Sequence, residues 1–125
     1  MNIQDEHLEA IIVSMLAVNN FSLERAYGLL PTLRESGLTS PKRVIDTPTD
    51  TIRAGLATAG YQRGHLTEMF ADRLIALMRE VDAGRLDRID SLVLSGKREE
   101  AQELLCSIRG IGPRVALHAW LLMTT

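Results

Sequence analysis

Apolar residues recur at helical spacing along most of the chain, and turn signals separate the segments that carry them. The first helix is predicted over about residues 5–18, with its apolar side formed by Leu8, Ile11, Ile12, Met15 and Leu16. Asn19-Asn20 ends this segment, and Ser22 is a candidate cap for a second helix that carries Leu23, Ala26, Tyr27 and Leu30. Pro31 falls late in the second segment and obscures its end.

Two further helix starts are marked by a capping residue followed by proline. Ser40-Pro41 predicts a short helix through Val44 and Ile45. Thr47-Pro48-Thr49-Asp50 repeats the signal, with Asp50 placed to reach back towards the cap. The helix that follows is expected to end near Gly60.

The longest predicted helix has one apolar stripe, formed by Leu66, Met69, Phe70, Leu74, Leu77, Met78 and Val81. Ala83-Gly84 ends it, and a short helix is predicted over residues 89–94. Two more helical segments, about 97–108 and 113–123, flank a glycine-rich turn. No segment alternates in the way that strands do, so the sequence predicts a single all-α domain over residues 1–125.

Charge and cysteine content exclude several classes of protein. The net charge of −2 and the pI of about 5.9 argue against a strong non-specific polyanion binder. Cys106 is the single cysteine, so one chain holds neither a disulfide nor an iron–sulfur cluster, and we expect an inert buried thiol. No signal peptide and no apolar run of membrane-spanning length is visible, which predicts a soluble cytoplasmic protein without a membrane partner.

The turn Arg109-Gly110-Ile111-Gly112-Pro113-Arg114 carries the strongest indication of chemistry. Its glycines allow a tight turn and a close approach of a ligand, and its proline suits the first position of a helix. The helix then begins with free amide groups and the positive end of its dipole, which favours an anion such as a DNA phosphate. The alternative is an ordinary helical hairpin whose glycines only allow the two helices to pack closely.

The segment from Leu104 to Ala116 resembles the helix–hairpin–helix motif of the endonuclease III-like DNA glycosylase superfamily, and the motif would span about residues 97–123. Ala59-Gly60-Tyr61-Gln62-Arg63 and the long helix after it resemble the stretch upstream of the motif in those proteins. The opening helix and the Asn19-Asn20 turn resemble the start of their helical barrel. The resemblance covers most of the chain and implies an endonuclease III-like helical fold.

This resemblance implies a particular mode of binding DNA. Backbone amides at Gly110, Ile111 and Gly112 would hold one or two phosphates, with Arg109 and Arg114 adding charged contacts. In the family, a monovalent cation (sodium or potassium) often sits at the hairpin carbonyls, which here would be those of Ile108 and Gly110. No cofactor and no metal bound by side chains is expected.

A second contact to DNA is a weaker prediction. Arg63 and His65 stand beside Gly64 at the start of the longest predicted helix, where they could reach another phosphate. The alternative is a solvated first turn without a ligand.

Several departures from the family pattern bear on catalysis. Arg114 stands where bifunctional members carry a Schiff-base lysine, and a guanidinium cannot act as an amine nucleophile. Eleven residues follow Arg114 and none is acidic, so no residue matches the family's essential aspartate. Ala17 takes the place of a glutamine that often wedges into the base stack, the four-cysteine cluster is absent, and residues 84–97 form a longer segment than usual. We therefore assign no catalytic residue.

The sequence favours a DNA-binding protein related to base-excision-repair glycosylases, without glycosylase or lyase activity, that binds DNA weakly and non-specifically. One alternative is a DNA glycosylase completed by a partner chain. Another is a protein-interaction domain that has lost DNA binding. The last helix is expected to expose part of an apolar face and so to mediate a homodimer or bind a protein partner, with candidates Leu117, Trp120, Leu121 and Leu122. Trp120 is otherwise expected to close a core or an interface, and His118 to be a surface or half-buried histidine without a metal.

Overall fold

The structure, a computed structural model, describes residues 3–18 and 20–125, which form eight α-helices and no strand. In chain order these are α1 (Asp5–Leu16), α2 (Leu23–Glu35), α3 (Pro41–Ile45), α4 (Thr49–Ala59), α5 (His65–Asp82), α6 (Ile89–Leu94), α7 (Arg98–Cys106) and α8 (Pro113–Met123). The all-α class predicted from the sequence is confirmed for these residues. The endonuclease III-like arrangement of the helices stays a prediction.

Helix α1 is the most deeply buried element of the fold. Every residue from Ala10 to Leu16 is buried, and the helix packs against α2, α5 and α8. The one polar residue in this run is Ser14, whose hydroxyl donates to the Ala10 carbonyl at 2.8 Å and is therefore satisfied inside the core. Because α8 packs on the buried helix α1, the position of the turn that precedes α8 is set by the core.

Helix α5 carries the second large part of the core and packs against α3 and α4. Its buried side contacts an aromatic cluster that we define as Phe21, Tyr61 and Phe70. The Tyr61 ring lies 5.1 Å from the Phe21 ring and 5.6 Å from the Phe70 ring, between ring centres, and the Phe21–Tyr61 pair is edge-to-face. The cluster connects α5 to the turn before it and to the residue that precedes the cap of α2.

Helix α2 starts as predicted, and its end, which Pro31 left open in the sequence, lies beyond the proline. The Ser22 hydroxyl accepts the Arg25 amide at 3.1 Å, which confirms Ser22 as the cap. Pro31 does not end the helix, which continues to Glu35. The reason is that Pro31 lies on the exposed side, whereas Leu30 and Leu33 are buried on either side of it, so core packing extends across the proline.

Two other sequence expectations need correction. Helix α1 ends at Leu16, two residues before the predicted end; of the predicted break, Asn19 lies outside the described residues and Asn20 adopts a left-handed φ of 71°. Asp50 does not reach back to cap α4, because its carboxylate pairs with Arg53 one turn further along. The residue that caps α4 is Pro48, which has no side-chain acceptor.

The glycine that was expected to end α4 is confirmed. Gly60 has a left-handed φ of 114°, and the Tyr61 amide returns to the Leu56 carbonyl at 2.9 Å. Gly84, with φ of 82°, follows α5 in the same conformation.

Helices α6, α7 and α8 share a smaller apolar cluster that consists of Leu92, Ala101 and Trp120. Trp120 is 7% exposed and fills this cluster, which confirms the expectation that it closes a core. Over residues 3–18 and 20–125, no helix combines the length and the apolar character needed to cross a membrane.

Candidate phosphate-binding site

The predicted hairpin is formed by α7, the turn over residues 107–112, and α8, and the two helices pack against each other. After Cys106 the chain forms two tight turns, each closed by a backbone hydrogen bond. The Ile108 amide donates to the Leu105 carbonyl at 3.0 Å, and the Ile111 amide donates to the Ile108 carbonyl at 3.1 Å. Gly110 adopts φ of 92°, a conformation that side chains with a Cβ rarely adopt. The turn is therefore closed by its own backbone, and its second glycine leads directly into α8.

Two isoleucine side chains anchor the turn in the core, and its second glycine is exposed to solvent. Ile108 and Ile111 are 2% and 4% exposed, so both side chains lie in the core. Gly110 packs against the side chain of Arg73 on α5, and a Cβ added there would lie 2.8 Å from the Arg73 Cγ and Cδ atoms. A Cβ added at Gly112 would meet no atom within 4 Å. Gly112 is thus the accessible part of the turn.

The first turn of α8 leaves backbone donors free next to Gly112. Gly112 is the cap residue and Pro113 is the first helical residue, which has no amide hydrogen. The first helical bond runs from the Ala116 amide to the Gly112 carbonyl at 3.0 Å. Among the described residues no acceptor pairs with the amides of Gly112, Arg114 or Val115, so three donors stand at the positive end of the helix dipole.

Three guanidinium groups belong to this part of the surface. Arg109 and Arg114 flank the turn and are exposed, and Arg73 is half-buried against Gly110. None of the three forms an ion pair with a carboxylate of the described residues. The segment from Leu104 to Thr125 contains no Asp or Glu, so the turn and α8 themselves carry no carboxylate that offsets the charges of Arg109 and Arg114.

Arg73 was not identified from the sequence. It lies on a different helix from the hairpin, and no local motif marks it. Helical spacing does place it one turn after the buried Phe70 on the same side of α5, but only the tertiary contact with Gly110 brings it to the turn.

The carbonyls predicted to hold a monovalent cation have different surroundings. The Ile108 carbonyl accepts the Ile111 amide and keeps one lone pair for a further ligand, whereas no amide of the described residues donates to the Gly110 carbonyl. Carbonyl oxygens suit sodium or potassium, and the cation stays a prediction. In the described residues no group of three or more His, Cys, Asp or Glu side chains is arranged to hold a metal.

Arg63 and His65, the predicted second contact, have different neighbours. The Arg63 guanidinium donates to the Val18 carbonyl at 2.7 Å and lies over the ring of Phe21, 5.4 Å from its centre. It is therefore not a solvated residue of a first helical turn. His65 is exposed beside Glu68, 3.8 Å from its carboxylate, as that alternative expects.

The sequence also gave expectations for the burial of Cys106, of His118 and of the apolar face of α8. Cys106 is exposed, not buried as expected, because the buried side of α7 is formed by Ala101 and Leu105 and Cys106 lies about 100° further round the helix. His118 is half-buried, as predicted. Of the apolar face expected on α8, Leu121 is 51% exposed, whereas Trp120 is in the core.

The shifted pKa values lie in a different part of the molecule, at a cavity of about 320 Å³ between α1, α2 and the end of α8. Arg34 donates two hydrogen bonds of 2.7 Å to Glu9, and these bonds with the carboxylate charge raise the pKa of Arg34. Burial, followed by the charge of Glu9, raises the pKa of Tyr27. The lining of this cavity combines the carboxylates of Glu6 and Glu9 with Arg34, and the Arg34 guanidinium is already paired with Glu9.

Comparison with known proteins gives no relative: no protein-family model, no curated protein and no solved structure matches the chain.

Proposed function

We propose that the protein binds double-stranded DNA weakly and without sequence specificity, through phosphates held at the turn between α7 and α8. The observation that carries the proposal is the open Gly112 beside three amides that no acceptor of the described residues pairs with, in a turn flanked by the exposed Arg109 and Arg114. Amides at a helix start bind phosphate oxygens, and arginine adds charge-assisted contacts. The resemblance of residues 104–116 to a helix–hairpin–helix motif supports the same function.

The charge distribution explains why the binding is weak. The chain has a net charge of −2, so its overall charge does not favour binding to a polyanion, and the proposed attraction comes from the local positive charge at the turn. A site of this size neutralises one to three phosphates, which gives a salt slope of about −1 to −3 in a plot of log K against log salt. Contacts to phosphates position the protein on a duplex and carry no information about base sequence.

The test is fluorescence anisotropy of a labelled duplex at low salt, with two substitutions at one position. Gly112→Asp puts a carboxylate where the phosphate would lie and is expected to abolish binding. Gly112→Ala adds only a methyl group in open space and is expected to retain binding within about threefold.

A control for net charge uses Thr51→Asp, which adds the same charge at an exposed position in the first turn of α4. This variant is expected to bind like the wild type. If the wild type gives no anisotropy change at low salt, or if Gly112→Asp binds as well as Gly112→Ala, the proposed function is wrong.

A further inference from the structure

We infer that Arg73, on α5, binds a second phosphate of the DNA strand whose first phosphate lies at Gly112. The inference rests on the proposed function for the identity of its ligand, and it extends that site from the hairpin to a neighbouring helix. It also gives the two glycines of the turn different roles. Gly110 makes room for the side chain of Arg73, and Gly112 leaves backbone donors open.

The side chain of Arg73 lies directly against the backbone of Gly110. A Cβ added to Gly110 would be 2.8 Å from the Arg73 Cγ and Cδ atoms and 3.2 Å from its Cβ, so the arginine stem fills the space that any other residue would need at this position. The guanidinium begins at the atom after Cδ. Its positive charge therefore lies beside the turn, whichever way the end of the side chain is rotated.

The guanidinium of Arg73 is accessible to a ligand. Arg73 is half-buried, and Gly110 covers part of its stem. Within residues 3–18 and 20–125, no hydrogen bond or ion pair involves its guanidinium, and none of its nitrogen atoms is a buried atom that lacks a partner. The nitrogens are therefore in contact with solvent, as is typical of an arginine whose stem packs while its charged end stays in water.

Packing against Gly110 prepares Arg73 for binding. Gly110 is itself held in place, because the side chains of Ile108 and Ile111 lie in the core. The arginine stem is therefore ordered before a ligand arrives, and binding costs less conformational entropy than it does for a mobile surface arginine. The planar fork of N–H donors at its end matches the oxygens of a phosphodiester, and hydrogen bonds to a charged oxygen are stronger than neutral ones.

The two contacts are close enough together for a single DNA strand. Gly110 and Gly112 are two residues apart, so their Cα atoms are separated by about 7 Å at most. Consecutive phosphates of one strand advance by about 3.4 Å along the axis of the duplex. The separation therefore fits neighbouring phosphates of one strand, one at the amides beside Gly112 and the next at the Arg73 guanidinium.

The alternative is that Arg73 only fills the space over Gly110. Its carbon atoms would then be sufficient, and removing its charge would leave the salt dependence of DNA binding unchanged. Glutamine keeps the Cβ, Cγ and Cδ positions of arginine and removes the charge, whereas lysine keeps both the stem and the charge. These two substitutions therefore separate a ligand contact from a packing role.

The test measures anisotropy of a labelled duplex as a function of salt for Arg73→Gln, Arg73→Lys and Arg79→Gln, at a temperature where circular dichroism shows each variant to be folded. Arg79 is the matched charge control, because it is exposed on the same helix, without a hydrogen bond or ion pair in the described residues, and about 9 Å further along the axis. Arg73→Gln is expected to raise Kd about three- to tenfold and to reduce the salt slope by about 0.9. Arg73→Lys is expected to keep the slope, and Arg79→Gln to leave both quantities unchanged.

The outcomes distinguish this inference from the proposed function. If Arg73→Gln keeps the wild-type Kd and slope while Gly112→Asp abolishes binding, Arg73 only packs on Gly110 and the proposed function stands. If Arg73→Gln reduces the slope and Gly112→Asp binds as well as Gly112→Ala, Arg73 binds a phosphate and the proposed role of the amides at Gly112 is wrong. If Arg79→Gln or Arg73→Lys reduces the slope as much as Arg73→Gln, or if the wild type does not bind DNA, the inference about Arg73 is overturned.

Discussion

Alanine substitution is expected to lower the free energy of unfolding substantially at Gly110 and only slightly, if at all, at Gly112. At Gly110 the backbone has φ of 92°, and forcing an L-residue into such a conformation costs about 1–2 kcal/mol. The new Cβ would also lie 2.8 Å from Arg73 Cγ and Cδ and 3.2 Å from its Cβ, so the arginine must leave its rotamer at a cost of about 0.5–1.5 kcal/mol. Gly110→Ala is therefore expected to lose about 1.5–3.5 kcal/mol of unfolding free energy.

Gly112→Ala is the matched control, since its φ is −93° and the added methyl group meets nothing. Alanine is a poorer cap than glycine but restricts the unfolded chain, and these opposing effects leave a net change below about 1 kcal/mol.

The assay is thermal unfolding by circular dichroism, supported by urea titration. For a chain of this length, a melting temperature about 6–15 °C below the wild type is expected for Gly110→Ala. A fall of less than about 2 °C, or an equal fall for Gly112→Ala, would refute the packing argument.

Three further substitutions test other parts of the fold. Ser22→Ala removes the acceptor for an amide in the first turn of α2 and is expected to cost about 1 kcal/mol in urea unfolding. Trp120→Ala empties the smaller apolar cluster and is expected to cost about 3–5 kcal/mol, whereas Leu121→Ala, at a half-exposed position of the same helix, costs much less. Ultraviolet titration of tyrosinate is expected to show Tyr27 ionising above its ordinary pKa, and Glu9→Gln to lower that pKa without fully restoring it, because burial is the larger cause. The Tyr27 phenol keeps its proton to higher pH in the folded state than in the unfolded state. Its contribution to stability is therefore present below pH 10 and is lost as the pH rises above the unfolded pKa. An unchanged Tyr27 pKa in the Glu9→Gln variant would contradict the charge argument.

Local signals in the sequence were sufficient to predict all the helices but not all of their ends. Gly60 and Gly84 mark ends correctly because left-handed backbone is a local requirement that glycine meets at low cost. Pro31 left the end of α2 open in the sequence, because the burial of Leu30 and Leu33 decides whether the helix continues past the proline. Cys106 was placed on the wrong side of its helix because one residue of rotation decides exposure near a helix end.

The candidate site was likewise only partly predictable from the sequence. The turn itself is visible in the sequence because its glycines and its proline are contiguous. The contact of Arg73 with Gly110 and the position of Arg63 over the Phe21 ring are non-local, and no spacing rule brings these residues together. The net charge of −2 gave no support to the turn as an anion site, since a total does not show that the segment after Glu103 has no acidic residues.

The buried side chain of Ile111 has a consequence for the kinetics of the hairpin. Because this side chain occupies the core at the tip of the turn, the backbone around it is ordered when the chain folds and not when a ligand arrives. Binding of a phosphate at Gly112, as proposed, would then require no loop closure and little loss of conformational entropy. Capture and release should accordingly be governed by diffusion and charge, as in a rigid receptor, and not by a conformational step.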